Sequence, residues 1–432
     1  NTSGFIAVIL KTDSYLQLGV DEQFDKESKM TKNKAFHGLV ALALISFGFF
    51  GSLSHIFTFG LVILITFHAL LDYKNFKPDF SKILLSLFLT GAFYFFFCRS
   101  IFSHNAQQVL DSLAPMLAIP ILGFLIIIRK NKDFEISTTT LAKFARLSII
   151  ITFFVYLLLM YFPEIYRDAG IGNGASLELL SGNPIPFSII VLCLSLMSLS
   201  SWRKDGKKEK FQTLVCLFFG LYLALYLANS RGTILAFVLS TPVIAWFILR
   251  SLKYLIVLVV VGIAITYLVI KLQISGLIDN DHLYRIIKGV ITLTTGVAID
   301  NSSFERIQLW NASLVVVSKN PILGYGLPER FSAILPVLGE NFPYRYSHPH
   351  NDILASAISA GLFGGLLGFI SIVSPLWAWI LTKRNSSGGM FLGITFSVIF
   401  FTSASFNTVF FNDITSAWLA FSTFLICCIK EN

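Results

Sequence analysis

Charge is scarce in this sequence, and its distribution is uneven. Asp, Glu, Lys and Arg make up 13% of 432 residues, whereas hydrophobic residues make up 55% and phenylalanine alone occurs 43 times. A soluble domain of this size needs a charged surface about twice as dense. Uncharged apolar runs of roughly 18 residues or more read instead as bilayer spans. Cysteine contributes little: Cys98, Cys193, Cys216, Cys427 and Cys428 all fall in or beside apolar runs, with no metal-ligand spacing and no arguable disulfide. No cleavable signal peptide is recognisable, because the first apolar run is a full span without a small-residue cleavage site behind it. Acidic and basic side chains are also absent from the middle of every apolar run; Asp111, Arg146 and Asp413 lie toward the ends. Ion-coupled transporters keep such groups at the bilayer midplane to hold the coupling ion, so this absence argues against a secondary transporter, and more strongly against a channel. The net charge of +9 does not indicate nucleic acid, since no basic stripe interleaved with aromatics lies outside the loops.

What is present is a series of apolar runs near 36–52, 54–71, 83–98, 108–128, 143–162, 184–201, 211–228, 232–249, 254–270, 353–381, 389–406 and 412–429. These predict an all-α membrane protein of about twelve transmembrane helices. With a cytoplasmic N-terminus, the inside loops hold Lys74, Lys77, Lys82, Arg129, Lys130, Lys132 and the Arg203–Lys210 cluster, followed by Arg250, Lys253, Lys383 and Arg384. The short outside loops hold only Arg99, Arg167 and Arg231. That is the positive-inside pattern of a bacterial inner membrane protein with both termini cytoplasmic. The expected organisation is a cytoplasmic tail over 1–35, spans one to nine over 36–270, a large periplasmic loop over 271–350, and spans ten to twelve over 351–432. The first methionine is Met30, followed by a lysine-bearing start and a span, so residues 1–29 read as a translated upstream extension or a peripheral tail.

The large loop between spans nine and ten breaks the rule of short connections, and long loops of this kind usually carry function. Ser302-x-x-Glu305 matches a capping box, Phe304, Ile307, Leu314 and Val315 fall roughly on one helical face, and Asn320-Pro321 stops the helix. The glycine-rich turn Gly324-Tyr325-Gly326 follows. The outside is also rich in arginine, with Arg99, Arg167, Arg231, Arg285, Arg306, Arg330 and Arg345. The guanidinium fork binds phosphate and carboxylate in bidentate fashion, which points to an anionic ligand such as a pyrophosphate. Arg231 is the sharpest case, pinned in a short connection at the depth of a lipid headgroup phosphate. It can equally be a boundary charge that snorkels.

At the junction of loop and span stands Tyr346-Ser347-His348-Pro349-His350-Asn351-Asp352. Histidine suits proton abstraction near neutral pH, and a carboxylate two residues beyond His350 could orient an imidazole. A metal set of His348, His350 and Asp352 is the weaker alternative, because divalent sites usually recruit more carboxylates. Asn351 or Asp352 would also cap the next helix. Downstream, Gly361 with Gly365 and Gly364 with Gly368 form spacings that favour close helix packing.

Three segments resemble the O-antigen ligase family and its relatives, the O-antigen and exopolysaccharide polymerases. They are Ser230-Arg231-Gly232, then Arg306-Ile307-x-x-Trp310 through Asn320-Pro321-x-x-Gly324-x-Gly326, and His348-x-His350-Asn351-Asp352-x-Leu354 with Gly361 and Gly365 behind it. The likeness covers roughly residues 210–380; the N-terminal half agrees in hydropathy alone. The resemblance implies a polytopic glycosyltransferase of the GT-C type, acting on the periplasmic side without a cofactor or metal. Its donor would be an undecaprenyl-pyrophosphate glycan and its acceptor lipid A core for a ligase, favoured by the single dominant outer loop, or another carrier-linked repeat for a polymerase, with membrane lipids as surroundings and no nucleic acid. Arg231 and Arg306 would hold the pyrophosphate; Arg345 and Tyr325 are further substrate-binding candidates. His350 would activate the acceptor hydroxyl, with His348 as second candidate. Relatives often carry Glu at the place of Asp352, which leaves that residue as an orienter.

Overall fold

The computed structural model describes residues 31–47, 51–71, 79–102, 104–129, 134–161, 184–228, 230–250, 288–289, 291–292, 295–297, 299–339, 342, 348–382 and 386–430. Among them the regular structure is helical, apart from one isolated parallel bridge between Ile136 and Ile429. Helix α1 covers 31–47. It is followed by α2 (Gly51–Leu71), α3 (Phe80–Ile101), α4 (Ala106–Leu113), α5 (Ala118–Ile128) and α6 (Thr138–Tyr161). Then come α7 (Pro184–Ser198), α8 (Lys207–Leu221, prolonged by a π-helical turn over Tyr222–Leu227) and α9 (Arg231–Leu249). The last six are α10 (Asn301–Lys319), α11 (Leu335–Leu338), α12 (Asp352–Ile372), α13 (Ser374–Thr382), α14 (Ser387–Phe406) and α15 (Asp413–Cys428).

Among the described residues five helices are long and apolar enough to cross a bilayer: α3, α6, α9, α12 and α14. The chain is therefore an α-helical membrane protein. The run expected to span 108–128 as one helix is instead broken, with α4 and α5 bent by 62°. Pro115 and Pro120 flank the bend, and each lacks the amide proton that would continue the ladder. The run at 353–381 is likewise divided at Val373, with Pro375 in the first turn of α13. Helices α7 and α15 match expected spans but are shorter than a full crossing. The expected span at 254–270, the loop up to 287 and the segment 1–30 lie outside the described residues.

The packing follows from composition. Helices α7 and α15 are buried along nearly their whole length and form the centre of the bundle. Around them α3 packs on α12 and α5, and α9 packs on α14. The outer helices turn large apolar side chains outward, among them Phe59, Phe67, Leu87, Phe154, Phe218 and Leu239. An exposed apolar girdle of this kind is what a lipid environment accommodates.

The two ends of the bundle differ. At one end the fully buried Arg129 donates from Nη1 to Phe134 O at 2.9 Å and from Nη2 to Cys427 O at 2.7 Å. A second buried cation, Arg146, pairs with Asp205 at 2.6 Å, with Ser201 bonded to both. These bonds tie the α5–α6 and α7–α8 connections to the bundle. The other end carries α10, α11 and the turn after α10.

That turn is built into a break in α12. Ala360 and Gly361 leave helical geometry, Gly361 with φ at 72°. The carbonyls this frees accept from the turn: Tyr325 N donates to Ile358 O and Gly326 N to Ser359 O, both at 2.8 Å. In return Leu362 N donates to Pro321 O at 2.7 Å. Gly361 is thus not part of a continuous packing row. A side chain there would collide with the Ile322 carbonyl, whereas Gly364 and Gly368 do face neighbours, Phe96 and Phe410 respectively.

Candidate active site: an arginine cavity beside a histidine pair

Arg231 is the first residue of α9, and its side chain reaches the start of α10. There Asp300, not Ser302, is the N-cap, and its Oδ2 accepts from Ser303 N at 2.8 Å. The expected capping box is therefore displaced by two residues, to a carboxylate that Arg231 also holds. Arg231 donates from Nη1 to Asp300 Oδ2 at 2.6 Å and from Nη2 to Oδ1 at 3.1 Å. Burial pushes the Asp300 carboxyl up, but the hydrogen bonds from Arg231 and Ser303 outweigh it and hold the group at about 2. The buried face of α10 also differs from expectation. Leu309, Ala312, Ser313, Val316 and Val317 point inward, whereas Leu314 and Val315 are exposed. The inward face packs on α12 and meets Ile358.

Arg306 lies one turn into α10 and lines the same cavity as Arg231. The cavity measures about 470 Å³ and opens between the starts of α7, α9 and α10 and the end of α14. Its polar lining includes Ser230, Ser302, Ser303 and Asn407, and its walls are Ile185, Ile234, Leu235, Val238 and Phe406. The volume falls within the roughly 300–1,000 Å³ of small-ligand sites. A slightly larger cavity of about 540 Å³ lies between α2 and the α4–α5 bend, but its lining offers Asp413 and no cationic side chain. An anion site therefore belongs to the first cavity.

The histidine pair sits where the chain enters α12. Asn351 caps that helix, accepting from Ile353 N at 3.1 Å and Leu354 N at 3.0 Å. Just before it, His350 adopts φ of 51°, a left-handed conformation uncommon for residues other than glycine and one that clusters at functional sites. The ring centroids of His348 and His350 lie 4.1 Å apart. Burial, then the charges of Arg330 and Arg306, lower His348 from its ordinary 6.5 to about 4. Burial, then His348 and Arg306, lower His350 to about 3. Both rings are neutral at physiological pH, which a proton acceptor requires. Arg306 connects the two parts of the site: it lines the cavity, and its charge acts on both imidazoles.

Other expected residues are placed differently. Asp352 is fully buried, and its Oδ2 accepts from the backbone N–H groups of Val409 and Phe410. Its Oδ1 has no hydrogen-bond partner among the described residues. Asp352 thus fastens the 407–412 connection and does not orient an imidazole. No group of three or more metal-ligating side chains gathers among the described residues, so the trio of His348, His350 and Asp352 is not assembled. Tyr325 packs in the small cluster formed with Val316, Ile334 and Ile358. Arg345 lies outside the described residues, as do Arg167 and Arg285. Arg99 holds the turn after α10, donating to Leu323 O at 2.8 Å and Gly324 O at 3.1 Å. Arg330 donates to Leu327 O at 3.0 Å and lies 4.6 Å over the ring of Phe411.

Three participants escaped the sequence reading. Asp300 was detectable, since an acidic residue ahead of a helix is an ordinary cap. In the sequence Arg330 is one outer arginine among several. Asn407 joins the cavity from across the fold, and nothing near it in the sequence marks it.

Fold and site together define a polytopic α-helical membrane protein with a cationic, apolar-walled cavity next to neutral histidines. Residues 214–370, which contain both arginines of the cavity and both histidines, match the family model described as O-antigen ligase. Over this segment the chain is similar to that family. No curated protein matches the chain.

Proposed function

We propose that the chain transfers a glycan from a polyprenyl pyrophosphate carrier, undecaprenyl pyrophosphate, to a lipid A core acceptor on the periplasmic side of the bacterial inner membrane. The topology that goes with this reading has about twelve spans, with both termini cytoplasmic and residues 271–350 forming the large periplasmic loop. The observation that carries the reading is the shared position of Arg231 and Arg306 in one apolar-walled cavity, with Arg306 acting on His350. Two guanidinium groups suit a pyrophosphate, and the apolar wall suits the prenyl chain attached to it.

The acceptor hydroxyl gives its proton to His350 as its oxygen attacks the anomeric carbon of the donor. The bond from that carbon to the pyrophosphate oxygen breaks, with inversion. The negative charge that develops on the leaving group falls against Arg306 and Arg231. Because the arginines supply the positive charge, transfer is expected to survive exhaustive chelation. A neutral imidazole with a pKa near 3 is a weak base; burial sets most of that depression, and the arriving pyrophosphate offsets only the smaller part due to Arg306.

The family also contains the polymerases, whose acceptor is another carrier-linked repeat. The single large loop favours the ligase. A flippase, the rival from another class, predicts no dependence on His350. The test is the lipopolysaccharide of cells lacking the protein, compared with cells carrying His350→Ala. Bare core with polymer stranded on the carrier, unrescued by the variant, supports the ligase. Core capped by a single repeat means polymerase, and full rescue removes His350 from the chemistry.

A further inference from the structure

The bidentate face of Arg231 is already occupied. Both of its terminal nitrogens bind the Asp300 carboxylate, at 2.6 and 3.1 Å, in the arrangement a phosphate group would take. The geometry points to Asp300 as a built-in competitor for the anion site, a carboxylate that engages the fork of Arg231 and weakens the hold on pyrophosphate so that the used carrier departs. The inference rests on the reading of Arg231 and Arg306 as a pyrophosphate site.

The two partners are unequally held. Asp300 is only 13% exposed and is fixed by its neighbours: its carboxylate accepts from Ser303 N, and its own N–H donates to Thr292 Oγ1 at 2.9 Å. Arg231 is 31% exposed and stands at the cavity wall on a long side chain. Gly289 leaves space beside it, since a side chain there would come within 3.1 Å of Arg231 Nη1. The arginine is thus the member that can pivot, from the fixed carboxylate toward a ligand and back. The Arg231–Asp300 pair carries no net charge, so the cavity presents less positive potential than its two arginines imply. A ligand pyrophosphate must outcompete Asp300 on entry, and Asp300 competes again after transfer. The cost in affinity shortens the residence of the product, which helps turnover wherever release limits the rate. Asp300 is a positioning residue in this scheme, since it acts through Arg231.

The test measures inorganic pyrophosphate binding to the purified full-length protein by calorimetry, alongside steady-state transfer. Asp300→Asn and Asp300→Ser both keep a good helix cap while removing the charge. Each is expected to bind pyrophosphate about five- to tenfold tighter, with KM and kcat falling together and product inhibition strengthening. A merely structural Asp300 would leave the binding of pyrophosphate unchanged in both variants, and an Asp300 that supports Arg231 would weaken it; either result overturns the proposal. Arg231→Ala serves as the control on the underlying reading. If it binds pyrophosphate as tightly as the unaltered chain, the anion site itself is misassigned; if it loses binding while the Asp300 variants are unchanged, only the competitor role fails.

Discussion

His348 and His350 stand with ring centroids 4.1 Å apart, and the second of them is held in a left-handed backbone conformation. Burial, mutual proximity and two flanking arginines keep both below the ordinary histidine value, at about 4 and about 3. In an unfolded chain both would titrate near 6.5, so below that pH the unfolded state binds more protons than the folded one. The stability contributed by the neutral pair is complete above about 6.5 and is lost as pH falls through about 4 and then about 3. The acid limb of kcat/KM, which reports the free protein, is expected in the same low window. The limb of kcat should lie at higher pH, because bound pyrophosphate offsets Arg306. A pH–rate series in vesicles checks this, and coincident limbs near 6.5 would contradict it.

Arg306 is the group shared by cavity and histidines, so its loss should act on both. Arg306→Ala is expected to slow transfer by about 10²–10³. Arg306→Lys should recover little, because an ammonium cannot reproduce the planar fork. Single-turnover rates with a saturating donor separate this from a simple loss of affinity. Recovery of most of the rate by lysine would mean that a point charge suffices.

Asp352 predicts a stability effect. Replacing it by Ala strands the Val409 and Phe410 N–H groups in a buried site, at a cost of roughly 1–3 kcal/mol for each. Asp352→Asn keeps an acceptor oxygen and should lose less. Thermal unfolding in detergent gives the comparison. A shifted pH profile with no change in melting temperature would instead restore Asp352 to a role at the imidazole.

Gly324 has φ of 62° and lies so close to the α12 break that a methyl group would come within 2.5 Å of Ala360 N and Ile358 O. Gly324→Ala is expected to destabilise the protein by more than about 1 kcal/mol. It should also weaken transfer by loosening the turn against α12. An alanine variant that melts with the unaltered chain would show that the turn can move aside at little cost.

Hydropathy made the helical membrane class legible, because the bilayer imposes one simple rule on composition. The ends of α9, α14 and α15, and the start of α12, fall within a residue or two of the apolar runs, where charges or capping residues bound them. The bend between α4 and α5 was not read, although Pro115 and Pro120 announce it, since their effect depends on how neighbours fill the gap. The buried face of α10 was misjudged because a short amphipathic pattern with scattered apolar residues admits two faces, and only packing on α12 decides. At the candidate site, Arg231, Arg306 and the histidines stand out in the sequence because each is a chemically distinctive residue in a short motif. The Arg231–Asp300 pair and the part played by Asn407 were not. Each joins residues far apart in sequence, where no local periodicity reports contact.

The connection between α14 and α15 touches the arginine cavity and the start of α12 behind the histidines. Asn407 lines the cavity, Val409 and Phe410 are gripped by Asp352 two residues beyond His350, and Phe411 lies beneath Arg330. This short stretch acts as a lintel, resting on the arginine cavity at one side and on Asp352 and Arg330 at the other. Substitutions at Asn407 and at His350 should therefore be non-additive in a double-mutant cycle, despite the distance between them in sequence. Divergence in what the protein accepts is then constrained here and freer in the segments that do not touch the lintel.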